Sequence, residues 1–224
     1  METEALLDDV ETRVLGALIE KQITTPDYYP LTLNSLTAAC NQKSNRHPVV
    51  SFDEKSVVRA LDSLLDKQLA RRVSGAEMRV PKYYHLFTEY FAFTPQEVAV
   101  LCVLMLRGPQ TVGEIRGRSS RLFEFTELSE VEETLLGLEE REDGSLVEQL
   151  PRQPGRKESR FAHLLAGAPE PPEEEEGEVR LEPAALEVRA ENERIAQLEE
   201  EVESLRRELE DLRAQFAEFR SQFE

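Results

Sequence analysis

The sequence predicts a mainly helical protein with small β-hairpins, in which one α+β unit occurs twice and a long helix follows. Three observations predict it. Residues 9–86 and 95–164 spell one pattern twice: three helix-like stretches, a strand, a basic turn, a second strand, and a closing His-Leu pair, His85-Leu86 and His163-Leu164. Equivalent helices carry equivalent apolar residues, Val14-Leu15 and Val100-Leu101 in the first, Val57/Leu61/Leu64 and Val131/Leu135/Leu138 in the third. Beyond these copies, Val188, Ile195, Val202, Leu209, Phe216 and Phe223 recur every seven residues, and Leu198, Leu205, Leu212 and Phe219 follow three residues after the first set. A trihelical core with a two-stranded basic hairpin is the winged-helix layout, a relative of helix-turn-helix whose third helix can enter a DNA groove. The expected architecture is therefore two tandem winged-helix domains and a C-terminal coiled-coil helix.

In the first copy, Asp9 to Lys21 reads as a helix with Val10, Val14, Ala17 and Leu18 at helical spacing. Ile23 to Pro30 contains two prolines and reads as a turn. Leu31 to Cys40 reads as a second helix, and the polar Asn41 to Pro48 as a loop. Ser51-Phe52-Asp53-Glu54 spells a capping box that would start the third helix, burying Val57, Leu61, Leu64 and Leu65. Leu69–Val73 and Val80–His85 alternate like strands around Ser74-Gly75.

The second copy is expected to begin at Thr94-Pro95, a cap with proline at the first helical position. A short second helix covers Thr111 to Gly117, the third starts near Ser129-x-x-Glu132, and strands near Leu146–Leu150 and Ser159–Leu164 flank a basic turn. Phe87, Tyr90, Phe91 and Phe93 in the joining segment are too aromatic for a flexible linker and should pack between the copies. The domain boundaries read as 1–87, 88–167, an acidic Pro/Glu linker at 168–180, and a coiled coil at 181–224.

The coil's flanking charges favour parallel pairing. In that orientation Arg194 meets Glu199, Glu201 meets Arg206 and Glu208 meets Arg213 across the pair. The seam would use Val188, Ile195, Leu198, Val202, Leu205, Leu209, Leu212, Phe216 and Phe219. The competing arrangement is an amphipathic helix folded back on its own body.

A net charge of −18 argues against nucleic acid until its distribution is considered. Residues 1–168 hold 20 Lys and Arg against 26 Asp and Glu, whereas residues 169–224 hold 7 against 19. Two thirds of the acidity thus sits in the tail. Lys67 to Lys82 holds five basic residues against Glu77 alone. DNA affinity depends on local phosphate contacts more than on global charge. The longest apolar run, Val98 to Leu106, is too short for a membrane span, and the acidic N-terminus lacks a secretory h-region. With Cys40 and Cys102 both in apolar helical stretches, a reducing cytoplasm with buried thiols is expected.

The candidate contacts to DNA are Lys55, Ser56 and Arg59 on the third helix, Lys43, Arg46 and His47 in the preceding loop, and Arg71, Arg72, Arg79 and Lys82 in the first hairpin. A solvated polar loop and an ordinary charged hairpin are the plainer alternatives. A secondary basic patch would comprise Arg116, Arg118, Arg121, Arg152, Arg156 and Lys157. The helix equivalent to Lys55–Ser63 in the second copy is acidic, with Glu130 and Glu133, so the copies should not do the same work. The second would contact a protein, or touch DNA only through its hairpin. No GxGxxG, P-loop, HExxH or CxxC is present, and Cys40 and His47 are too few for a four-ligand zinc site. No enzyme, cofactor or metal is expected.

At NQKSNRHPVVSFDEKSVVRAL, LRGPQTVGEIRGRSSRLFEF and PGRKESRFAHLL the chain resembles the bacterial YceH family of uncharacterised proteins, over roughly residues 8–167. The resemblance implies a cytoplasmic protein with two tandem winged-helix domains, commonly followed by a short coiled coil. It supplies no catalytic residue. Its recurring motifs correspond to Asn41–Pro48, Arg107–Gln110 and Pro154–Lys157, with His47 standing where an acidic residue is expected. The sequence thus leads to the expectation of a non-enzymatic DNA-binding protein of the transcription-regulator kind, a parallel homo-oligomer with no membrane association. The alternative is a scaffold that grips partner subunits.

Overall fold

Two helices that are apolar around most of their circumference organise the molecule, and their sequences explain why. Helix α1 (Asp9–Thr24) has apolar residues at five of the six positions from Val14 to Ile19, too many for one face. Every residue from Glu11 to Glu20 is buried. Helix α5 (Pro95–Arg107) buries the whole run Val98–Leu106. Both begin in capping boxes, Asp8 with Glu11 and Thr94 with Glu97, and Pro95 stands at the first turn as the sequence predicts. In this computed structural model the described residues are 6–74, 80–153 and 158–167. The heptad positions, Arg79, Arg156 and Lys157 lie outside them.

The described chain is mixed α and β, with seven α-helices and two small antiparallel sheets among these residues. After α1 come a 3-10 turn (Pro26–Tyr28), β1 (Leu31–Thr32), α2 (Leu33–Cys40), α3 (Glu54–Asp66), β2 (Ala70–Val73) and β3 (Lys82–His85). A short α4 (Phe87–Phe91) leads to α5, then α6 (Val112–Ser119), α7 (Leu128–Glu139), β4 (Val147–Gln149) and β5 (Phe161–His163). The first sheet runs β1-β3-β2, the second pairs β4 with β5.

The internal repeat extends to burial. Val57 and Val131 are both fully buried, as are Leu64 and Leu138, and Leu61 and Leu135 are nearly so. Pairing repeats as well: Leu31 lies opposite Tyr83 in β3, and Gln110 forms an isolated bridge to Phe161 in β5 through reciprocal N–H···O bonds of 3.0 and 2.8 Å. Each copy therefore has one strand-like residue or pair between its first two helices. The expected two-stranded hairpin of the first copy is in fact part of a three-stranded sheet. Leu31-Thr32, expected to be helical, is a strand because the buried Leu31 faces Tyr83, and Thr32 ends it by capping α2 through its hydroxyl to the Ser35 N–H.

Two helix starts also differ from expectation. Asp53, not Ser51, caps α3, accepting from the Ser56 N–H at 2.8 Å. An ionised carboxylate is the stronger acceptor at the positive end of the helix. Helix α7 starts after Glu127 without a side-chain cap, and Ser129 lies inside it.

The core is continuous across both copies. Gly16 of α1 makes the closest approach: a Cβ there would lie 3.0 Å from Leu106 Cδ2 and 3.2 Å from Met105 Cβ. The Cys102 thiol points at the Gly16 carbonyl, 3.6 Å away. The Leu7 N–H donates to the Leu165 carbonyl at 2.8 Å, tying the start of the first copy to the end of the second. Of the joining aromatics, Phe87 is fully buried and meets Phe91 and Phe93 at centroid distances of 5.2 and 4.9 Å, while the Tyr90 side chain lies outside the described residues. Both cysteines are free and buried, and burial pushes the Cys40 thiol up to about 12. No described helix is long and apolar enough to cross a membrane.

Candidate nucleic-acid interface

The third helix of the first copy presents Lys55 and Arg59 to solvent, with Ser56 and Ser63 half-buried beside them. These cations do not stand alone. Asp53, Glu54, Asp62 and Asp66 are exposed on the same helix or its cap. The Asp53 carboxyl is held below its usual range, first by its hydrogen bonds from Ser56 and then by the charges of Lys55 and Arg59. Part of the positive field of α3 is therefore spent within the helix.

The hairpin adds a second set. Arg71 is opposite Tyr84, and Val73 opposite Lys82, so these four share one face of the sheet. Ala70 and His85 are paired and buried on the other face, which makes the Arg71 face the outward one. Arg71 is exposed and Lys82 half-buried on this face, whereas Arg72, paired with Tyr83, is exposed on the opposite face with Ala70 and His85. Arg71 reaches the Tyr84 hydroxyl at 3.5 Å. His85 itself is buried. Burial lowers its pKa to about 4, and its Nε2 lies 2.6 Å from Gln22 Oε1.

In the loop before α3, Lys43 and His47 are exposed, but Arg46 is not. Expected to meet phosphates, Arg46 is only 4% exposed and faces inward. It donates to Glu20 Oε1 and Oε2 at 3.1 and 2.7 Å, and to the Ala39 carbonyl at 2.9 Å. Burial works to raise the Glu20 pKa, yet the Arg46 hydrogen bonds and charge, aided by Lys21, outweigh it and leave the carboxyl below its usual value. A buried guanidinium already holding a carboxylate has nothing left for a nucleic acid. Arg13 anchors the same loop from below, donating to the Pro48 carbonyl at 2.8 Å and the Cys40 carbonyl at 3.3 Å.

Two other contacts fasten the loop to the second copy. The His47 N–H donates to the Leu106 carbonyl at 2.9 Å, and Arg107 donates to the Asn45 side chain. Asn45 adopts a left-handed conformation, φ 58°, which asparagine tolerates better than most residues. Two of the sequence motifs, Asn41–Pro48 and Arg107–Gln110, thus meet in space. The Arg107 signal is legible afterwards: it is the first polar residue after a nine-residue apolar run and must emerge where α5 leaves the core.

In the second copy, Glu130, Glu132, Glu133 and Glu139 are exposed along α7, and so are Leu128 and Leu136. Arg116, Arg118, Arg121 and Arg152 are exposed. Arg118 is bonded to the Gln110 side chain and paired with Glu114 at 3.5 Å. The copies differ in charge where they agree in frame. Among the described residues no group of three or more His, Cys, Asp or Glu is arranged to hold a metal.

Residues 7–156 match the family model described as "Protein of unknown function, DUF480". The chain belongs to this family. Among its relatives are the UPF0502 proteins of Geobacter metallireducens, 58% identical over 88% of this chain and 89% of the relative, and of Vibrio atlanticus, 51% identical over 72% and 76%. The UPF0502 protein of Geotalea uraniireducens is 59% identical over 88% of this chain and 89% of its own length. The resemblance to YceH lies within this same DUF480 family.

Proposed function

We propose that this is a non-enzymatic, cytoplasmic DNA-binding protein of the transcription-regulator kind, built from two winged-helix domains and contacting duplex DNA mainly through the first. The element order α1-β1-α2-α3-β2-β3 with sheet order β1-β3-β2 supports the winged-helix reading of the first copy, and the Gln110–Phe161 bridge supports it for the second. The observation that carries the proposal is a charge difference within one frame: with Val57 set on Val131, exposed Arg59 on α3 stands where α7 has Glu133, Ser56 where it has Glu130, and exposed Lys55 where it has the neutral Ser129. Helix α3 would approach the groove while Arg71, Arg72 and Lys82 take backbone phosphates. The heptad of residues 188–223 would pair two chains in parallel, so that a two-site duplex gains avidity.

A scaffold role is the second reading, favoured by Leu128 and Leu136, which are 45% and 51% exposed on the glutamate-rich α7. An apolar pair in an acidic frame suits a basic protein partner and repels phosphates. Affinity capture of the full chain from lysate, with and without nuclease, separates the two. Recovery of DNA fragments, with co-captured proteins lost on nuclease treatment, supports the DNA reading. A stoichiometric partner that survives nuclease supports the scaffold.

A further inference from the structure

A cleft of about 160 Å³ opens where α1, the 41–48 loop, α5 and α6 converge. Its lining includes Arg107, Arg118 and Arg121, together with Asn45, Ser120 and Glu20. On a chain of net charge −18 this is a local excess of cations, and the nearby carboxylates are already engaged. Glu20 is held by Arg46 at 2.7 Å and Lys21 at 3.5 Å. Glu114 is shared between Arg118 at 3.5 Å and Arg160 at 3.6 Å. Arg121 has no ion pair among the described residues and is exposed at the cleft.

We infer that this cleft binds the phosphate group of a small soluble metabolite. Guanidinium groups present flat forks of N–H donors that match phosphate oxygens two at a time. A tetrahedral phosphate can accept from several such forks at once, whereas a planar carboxylate offers two oxygens. Asn45 and Ser120 add neutral polar groups at the rim. The space takes a phosphate with a few attached atoms and does not admit a duplex. Burial, and then the charges of Arg118 and Arg46, lower the Arg107 pKa, so an anion here would relieve like-charge repulsion that the fold otherwise bears. Because the lining comes from both copies, an occupant would brace the 41–48 loop against α5 and α6. The inference does not depend on DNA binding, since the α3 and β2 cations lie on other elements.

The test is isothermal titration of the full chain with inorganic phosphate, pyrophosphate and adenosine monophosphate, at constant ionic strength set with sodium chloride. Saturable one-to-one binding of at least one of the three is expected. Arg121→Gln should weaken it about tenfold, the loss expected for one charged hydrogen-bonding group. Arg72→Gln, on the hairpin, should leave it unchanged. Circular dichroism confirms that both variants fold, and among the described residues Arg121 makes no ion pair whose loss would unfold the chain. Absence of saturable binding for all three probes overturns the inference, as does equal weakening by the two variants. A final arm adds a duplex: if the duplex displaces the bound probe and Arg121→Gln abolishes that competition, the occupant is a nucleic-acid phosphate and the small-metabolite assignment is wrong.

Discussion

Arg46 donates two hydrogen bonds to Glu20, at 3.1 and 2.7 Å, and this buried pair joins the 41–48 loop to α1 directly below the junction with α5. Removing one partner leaves the other charge buried and unpaired. Arg46→Ala or Glu20→Ala should each cost about 3–5 kcal/mol, whereas Arg46→Met with Glu20→Leu should recover much of that loss. Urea denaturation of the four proteins checks this. Single variants of near-wild-type stability would mean that water reaches the pair.

Gly16 permits the contact of α1 with α5. Gly16→Leu would drive a side chain into Leu106 and Met105 and should destabilise by about 1–3 kcal/mol, the usual range for overpacking. Gly16→Ala should cost less, because Leu106 can turn aside. Thermal denaturation of both variants measures the ordering, and a stabilised leucine variant would show that the helices can separate freely.

Acid should weaken the fold over a defined window. Burial lowers the pKa of His85 and of His163 to about 4. Unfolded histidine takes up its proton near 6.5. Between about 6.5 and 4 the unfolded chain therefore binds more protons, and stability falls as pH drops, flattening below the folded value. Glu20, whose folded pKa is lowered, contributes stability above the unfolded carboxyl value and loses it as pH falls through its own. The melting temperature should decline by several degrees from pH 7 to 4.5, and less steeply in His85→Gln/His163→Gln. An unchanged melting temperature across that range would contradict the buried neutral histidines.

Local chemistry made much of the frame legible in the sequence. The Thr94-Pro95 cap and the Val57/Val131 periodicity depend on neighbours within two turns, and both are found where the spacing predicts. What depends on distant packing is not legible. Arg46 reads as a solvent-facing cation in a polar loop, and only its bonds to Glu20, far back along the chain in α1, show it to be an interior residue. Leu31-Thr32 reads as helix because its partner Tyr83 is far along the chain. The apolar breadth of α1, like the apolar run Val98–Leu106 of α5, is a sequence signal that anticipates a helix on its far side.

The heptad from Val188 to Phe223 should hold the chain in an oligomer. Deleting residues 169–224 should give a monomer by light scattering and weaken binding to a two-site duplex far more than to a single site. A truncated chain that stays dimeric would place the interface within residues 1–168.

The most direct test of the DNA-binding account is fluorescence anisotropy with a labelled duplex as salt is raised from about 50 to 200 mM. The account predicts weak wild-type binding that falls steeply with salt, abolished by Arg59→Glu/Arg71→Glu/Arg72→Glu and only reduced by Arg152→Glu/Arg156→Glu. Equal losses from the two sets would contradict the division of labour between the copies, and no binding at the lowest salt would contradict DNA as the partner.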